Sequence, residues 1–67
     1  MQEITTLNFL DVESKQPAVA IIRAAKGMVA VAISVADDGD AEVVLSYEDC
    51  QSLVTAMNAA LSLASSE

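Results

Sequence analysis

The sequence predicts an α+β fold: a four-stranded antiparallel meander followed by one C-terminal helix packed on one face of the sheet, in the order ββββα. Three observations carry this. Residues Met28 to Ala36 alternate β-branched side chains (Val29, Val31, Ile33, Val35) with small ones (Ala30, Ala32, Ser34, Ala36), the period-two signature of a strand. Glycine-bearing turn signals, Lys26-Gly27 and Asp37-Asp38-Gly39-Asp40, bracket that stretch. Beyond Ser46 the apolar period changes from that of a strand to that of a helix. An uncharged apolar strand would template aggregation at a sheet edge, so 28–36 belongs in the interior of the sheet.

The first strand runs from Ile4 to Val12, where Thr5, Thr6, Phe9 and Val12 favour extended backbone. Leu7 and Phe9 fall on one face, Leu10 and Val12 on the other. Either both faces are partly covered, or a bulge between Phe9 and Leu10 re-aims the strand. Glu13 to Pro17 is a polar connection, and Pro17 permits a strand to start just after it. Ala18 to Ala25 is the second strand. A two-residue Lys26-Gly27 turn places Ala24, Ile22 and Ala20 opposite Val29, Val31 and Ile33, small against large.

Two registers compete at the next turn. An Asp38-Gly39 turn would put Glu42 beside Val35 on the valine face, leaving a carboxylate unpaired among apolar groups, which costs several kcal/mol. A three-residue Asp37-Asp38-Gly39 loop with Gly39 left-handed aligns Ala41, Val43 and Leu45 with Val35, Ile33 and Val31, and is the register expected.

Ser46 is the helix N-cap, Asp49 sits at the capping-box position, and Glu48 and Asp49 oppose the positive end of the helix dipole. Cys50, Leu53, Val54, Met57, Ala60, Leu61 and Ala64 form one apolar stripe. Gln51, Ser52, Thr55, Asn58 and Ser62 make the opposite face, and Ser65-Ser66-Glu67 is expected to fray.

Sixty-seven residues make one domain, 1–67, with a small core. Such chains usually need a disulfide, a metal or a partner. Cys50 is the single cysteine and there is no histidine, which leaves neither an internal disulfide nor a zinc site. Self-association or a bound partner remains. Hydrophobic residues make up 54% of the chain, which excludes disorder. The net charge is −7, and every basic residue (Lys15, Arg23, Lys26) precedes Gly27. Downstream acids repel phosphates and anionic lipid and attract basic protein surfaces, so neither nucleic acid nor membrane is the expected partner. No stretch reaches the roughly 20 apolar residues of a membrane span. The start of the chain lacks the basic residues of a signal peptide. The free Cys50 suits the cytoplasm.

A single helix covers only one of two apolar sheet faces. The richer valine face (Ile22, Val29, Val31, Ile33, Val35, Val43, Leu45) is its expected seat. The other face carries Val19, Ile21, Met28, Ala30, Ala32 and Val44, diluted by Arg23, Ser34, Glu42 and Ser46. Exposed apolar area beyond a few hundred Å² marks an interface, so these six residues are the expected surface for a homodimer or an anchoring partner.

The chemistry is sparse. Asp37 to Glu42 clusters carboxylates but lacks the alternating ligands and terminal Glu of a calcium loop, and Asp and Gly are ordinary turn residues. Cys50 has no histidine base, and Glu48 and Asp49 would raise its pKa; a small buried hydrophobe is the better reading. The three bases are solvated surface. No phosphate loop or acid–base pair is present, so neither an enzyme nor a cofactor is expected.

What remains is an acidic band: Asp37, Asp38 and Asp40 at a hairpin tip, Glu42 along an edge strand, Glu48 and Asp49 at the helix start. Carboxylates on a rigid scaffold can imitate nucleic-acid phosphates. In length, Asp37–Asp49 acidity and meander-plus-helix pattern, the chain resembles the small acidic inhibitors that bacteriophages encode against host defence, of the anti-CRISPR type. The resemblance implies a non-catalytic inhibitor that blocks the basic, nucleic-acid-binding surface of a partner protein. The alternative is a structural or regulatory homo-oligomerising module whose acidity only maintains solubility.

Overall fold

A computed structural model describes residues 1–65. It contains β1 (Gln2–Leu10), β2 (Pro17–Ala25), β3 (Met28–Val35), β4 (Gly39–Ser46) and α1 (Tyr47–Ser65). The strands form one antiparallel sheet in the order β1-β2-β3-β4, so the meander and the interior position of the valine-rich strand are as expected.

The hairpin β2–β3 has the predicted register, with Ala24, Ile22 and Ala20 opposite Val29, Val31 and Ile33. Gly27 takes a φ of 78°, a left-handed conformation that glycine adopts without a steric penalty. Nothing lies within 4 Å of where a Cβ would stand there. A Gly27→Ala variant therefore loses only the backbone term, about 1 kcal/mol, readable as a drop in the denaturation midpoint.

Two local features differ from expectation. β1 begins at Gln2 and ends at Leu10, and its bulge lies between Glu3 and Thr5 rather than at Phe9–Leu10. The chain leaves the sheet early because Asp11 builds the loop. Its carboxylate accepts the Ser14 N–H at 2.9 Å, and its backbone N–H donates to the Gln16 carbonyl at 3.0 Å. The hydrogen bonds from Ser14 hold the Asp11 carboxyl below its ordinary pKa.

The β3–β4 loop has the predicted three residues, but they are Ala36, Asp37 and Asp38. Gly39 already pairs with Val35, and Ala41, Val43 and Leu45 face Ile33, Val31 and Val29. The slide of two residues preserves which face each side chain occupies. It also pairs all eight residues of β3 with all eight of β4, whereas the expected register would leave Met28 and Val29 without β4 partners. Asp37 accommodates the turn with a φ of 70°, tolerable for a short polar side chain. The Asp38 N–H closes the turn on the Val35 carbonyl at 3.0 Å.

The helix starts where predicted. The Asp49 N–H donates to Ser46 Oγ at 3.1 Å, the N-cap bond. Ser46→Ala should cost about 1 kcal/mol of stability, seen as a lower unfolding midpoint with the fold retained. At the far end Ser65 is helical, its hydroxyl donating to the Ser62 carbonyl, rather than frayed. The rest of the expected tail, Ser66 and Glu67, lies outside the described residues.

The expected packing of this helix is not found. α1 touches β3 and β4 but neither β1 nor β2, and none of its residues is buried. Only Cys50, in the first turn, is even half-buried. The cause is the junction: Ser46 is the last strand residue and Tyr47 the first helical one, with no loop between them. The Tyr47 N–H still bonds the Gly27 carbonyl, as a further strand residue would. Folding back over the sheet takes a connection of a few residues, and here there is none. The valine face is consequently open, with Ile33 46% and Val43 52% exposed. Among the described residues only Ala18 and Ala30 are fully buried.

Candidate functional site: two open sheet faces and a divided acidic surface

Register assigns the surfaces. One face presents Ala18, Ala20, Ile22 and Ala24 from β2, Val29, Val31, Ile33 and Val35 from β3, and Ala41, Val43 and Leu45 from β4. Leu7 and Phe9 join from β1, opposite Ala20 and Ala18. Among the described residues no ionisable side chain stands on this face.

The reverse face brings together all six residues proposed from sequence: Val19, Ile21, Met28, Ala30, Ala32 and Val44. Met28 and Val44 are exposed and Val19, Ile21 and Ala32 half-buried, while Ala30 is 1% exposed and can offer little contact. Across this face runs a feature that the sequence alone did not indicate. Arg23 Nη2 pairs with Glu42 Oε2, diagonally over β3. The small side chains of Ala30 and Ala32 leave room for it, and the two-residue slide of β4 sets Glu42 opposite Ala32, within reach of Arg23. Both partners remain more than a third exposed, so the pair contributes at most about 1 kcal/mol. Its larger consequence is that this face carries charge at its centre. A shallow, open groove of about 330 Å³ lies alongside, lined by Val19, Ile21, Ala32, Ser34, Asp40 and Glu42 among others.

The acidic residues do not form one continuous band. Asp37 and Asp38 occupy the β3–β4 turn, and Asp40 stands next to them on the reverse face, opposite Ser34. Glu48 and Asp49 lie at the other end of β4, about 24 Å away at 3.4 Å per strand residue. Glu42, between them, is tied to Arg23. That is the one ion pair among the described residues, so Asp37, Asp38 and Asp40 have no basic partner among them. No group of three or more potential metal ligands is found among the described residues. Cys50 is a free thiol, half-buried on the apolar stripe.

No described helix is long and apolar enough to cross a membrane. Protein-family models, curated proteins and solved structures yield no match to this chain.

Proposed function

We propose that this chain is a non-catalytic, self-associating protein module. The observation that carries this reading is the shape: a sheet open on both faces, with a helix whose apolar stripe beyond Cys50 is left exposed by the chain's own sheet. A compact protein of 7.0 kDa exposes about 4,000 Å², whereas this chain exposes 5237 Å². Its radius of gyration is 13.4 Å against about 11 Å for a compact chain of this length. A pair of alanines is too little core to offset the conformational entropy of a folded domain. The missing core is supplied by association.

Light scattering on two helix variants tests this. Leu53→Glu, on the apolar stripe, should reduce the mass or unfold the chain, while Ser52→Glu, on the polar face, should leave the multimeric mass in place. Equal masses for both variants and the parent at one chain each would overturn the reading.

A second reading is favoured by the unpaired carboxylates at the β3–β4 tip: the module binds and blocks a basic, nucleic-acid-binding protein surface, as an anti-CRISPR-like inhibitor does. Asp37, Asp38 and Asp40 then provide steering and salt-sensitive pairs with Arg or Lys. Substituting all three by Asn should weaken capture of a basic partner at low salt and flatten its salt dependence. Unchanged capture at low salt removes the tip from the mechanism.

A further inference from the structure

The geometry points to a specific mode of association, resting on the self-associating reading: a two-fold dimer in which α1 of each copy lies across the valine face of the other. Helix and valine face complement each other in length, chemistry and area.

The stripe from Cys50 to Ala64 is about 21 Å long at 1.5 Å per residue. Four strands spaced about 4.8 Å apart span about 14 Å between the outer backbones, so the stripe crosses the whole sheet. Neither the stripe nor the valine face carries Asp, Glu, Lys or Arg, so contact between them desolvates no carboxylate, ammonium or guanidinium group. The reverse face would have to desolvate the Arg23–Glu42 pair and Asp40, which makes it the poorer seat. The chain's excess exposed surface, about 1,200 Å² over a compact protein of its mass, comfortably contains the roughly 800 Å² per partner of a standard stable interface.

The loop-free Ser46–Tyr47 junction explains why the seat belongs to another copy. A helix that continues out of its strand cannot turn back onto its own sheet, but it can reach a neighbour's. Exchange of an identical element about a two-fold axis closes the assembly, since each copy both gives and receives a helix. The two acidic groups lie at turn and helix start, outside the stripe-to-face contact. With −7 on each chain, the copies repel at long range, so raised salt should tighten this dimer. Salt would loosen any pairing of the acidic tip with a basic partner, which separates the two kinds of contact in one titration.

Cysteine cross-linking in a Cys50→Ser background tests the exchange. Chains carrying Met57→Cys, at mid-stripe, are mixed with chains carrying Val31→Cys, at the centre of the valine face, and oxidised. The expected product is a covalent pair whose disulfide joins positions 57 and 31, identified by peptide mass. Val44→Cys on the reverse face should give far less. Ala41→Cys serves as a second position on the valine face should the Val31 variant not fold. A single chain bearing both Met57→Cys and Val31→Cys should likewise run at the mass of two chains. A disulfide closed within one chain would show that the helix folds onto its own sheet, and would overturn the exchange. A multimer that forms no bond between the stripe and the valine face would overturn it too, while leaving self-association standing. A single-chain mass for the uncross-linked parent would overturn both.

Discussion

The thermal unfolding midpoint of this chain is expected to rise with its concentration. In a molecule whose core is completed by a second copy, folding and association are one equilibrium, and dilution favours the unfolded chain by mass action. Each tenfold increase in concentration is worth about 1.4 kcal/mol to a dimer. For an assembly of this size that corresponds to a shift of a few degrees. Two orders of magnitude in concentration, followed by circular dichroism in cells of different path length, make the trend unmistakable. A midpoint independent of concentration would mean that the surfaces left open by the single chain are stable in water as they stand.

Val31→Glu should have the largest effect of any single substitution. Val31 stands in an interior strand, with Ile22 opposite on one side and Val43 on the other. In an isolated chain Val31 is half-buried on an open face, so a carboxylate there could still reach water and the loss would be partial. Beneath a partner's helix it would be buried without a counter-ion, at several kcal/mol per chain. That is comparable to the whole stability of a small domain. The expected result is loss of the folded multimer, read as collapse of amide dispersion in a two-dimensional NMR spectrum. Ser34→Lys is the control. It introduces a charge on the reverse face directly opposite Asp40, where a favourable cross-strand pair is available, and should leave fold and mass unchanged. A Val31→Glu chain that folds and keeps the parent's mass would show the valine face to be solvent-exposed in the native assembly.

The contrast between strand order and helix placement shows how far the sequence is legible. Period-two alternation and a Lys26-Gly27 turn are local signals, and each acts between neighbours in the chain, so the β2–β3 register follows from them. The second turn was legible in its length and in the face it assigns to each residue, because burying Glu42 is expensive. It was not legible in its position, since sliding by two residues leaves every side chain on the same face. What decides between the two registers is the number of ladder partners gained by Met28 and Val29, a backbone term that side-chain pattern does not record. The ion pair between Arg23 and Glu42 follows from that slide and could not be read before it.

The helix is the reverse case. Its N-cap and its stripe were both legible, and Ser46 does cap it. Its partner was not, because an apolar stripe states that something must cover it without stating what. The informative signal was the shortness of the link: only Ser46 and Tyr47 separate Leu45 from Glu48, with no Gly, Pro, Asn or Asp, where folding back would have needed a longer turn. The acidic residues make the same point. Six carboxylates close in sequence suggested one surface, yet a strand between Asp40 and Glu48 carries them to opposite ends of the sheet. Proximity in a chain becomes proximity in space only where the backbone turns.

Sedimentation equilibrium of the unmodified chain, from high micromolar concentration down through serial dilution and at two salt concentrations, addresses the central claim most directly. Completion of the core by a second copy predicts a mass of two chains at high concentration, tighter association at higher salt, and loss of folded signal together with loss of mass on dilution. A folded species of 7.0 kDa throughout the series would contradict it.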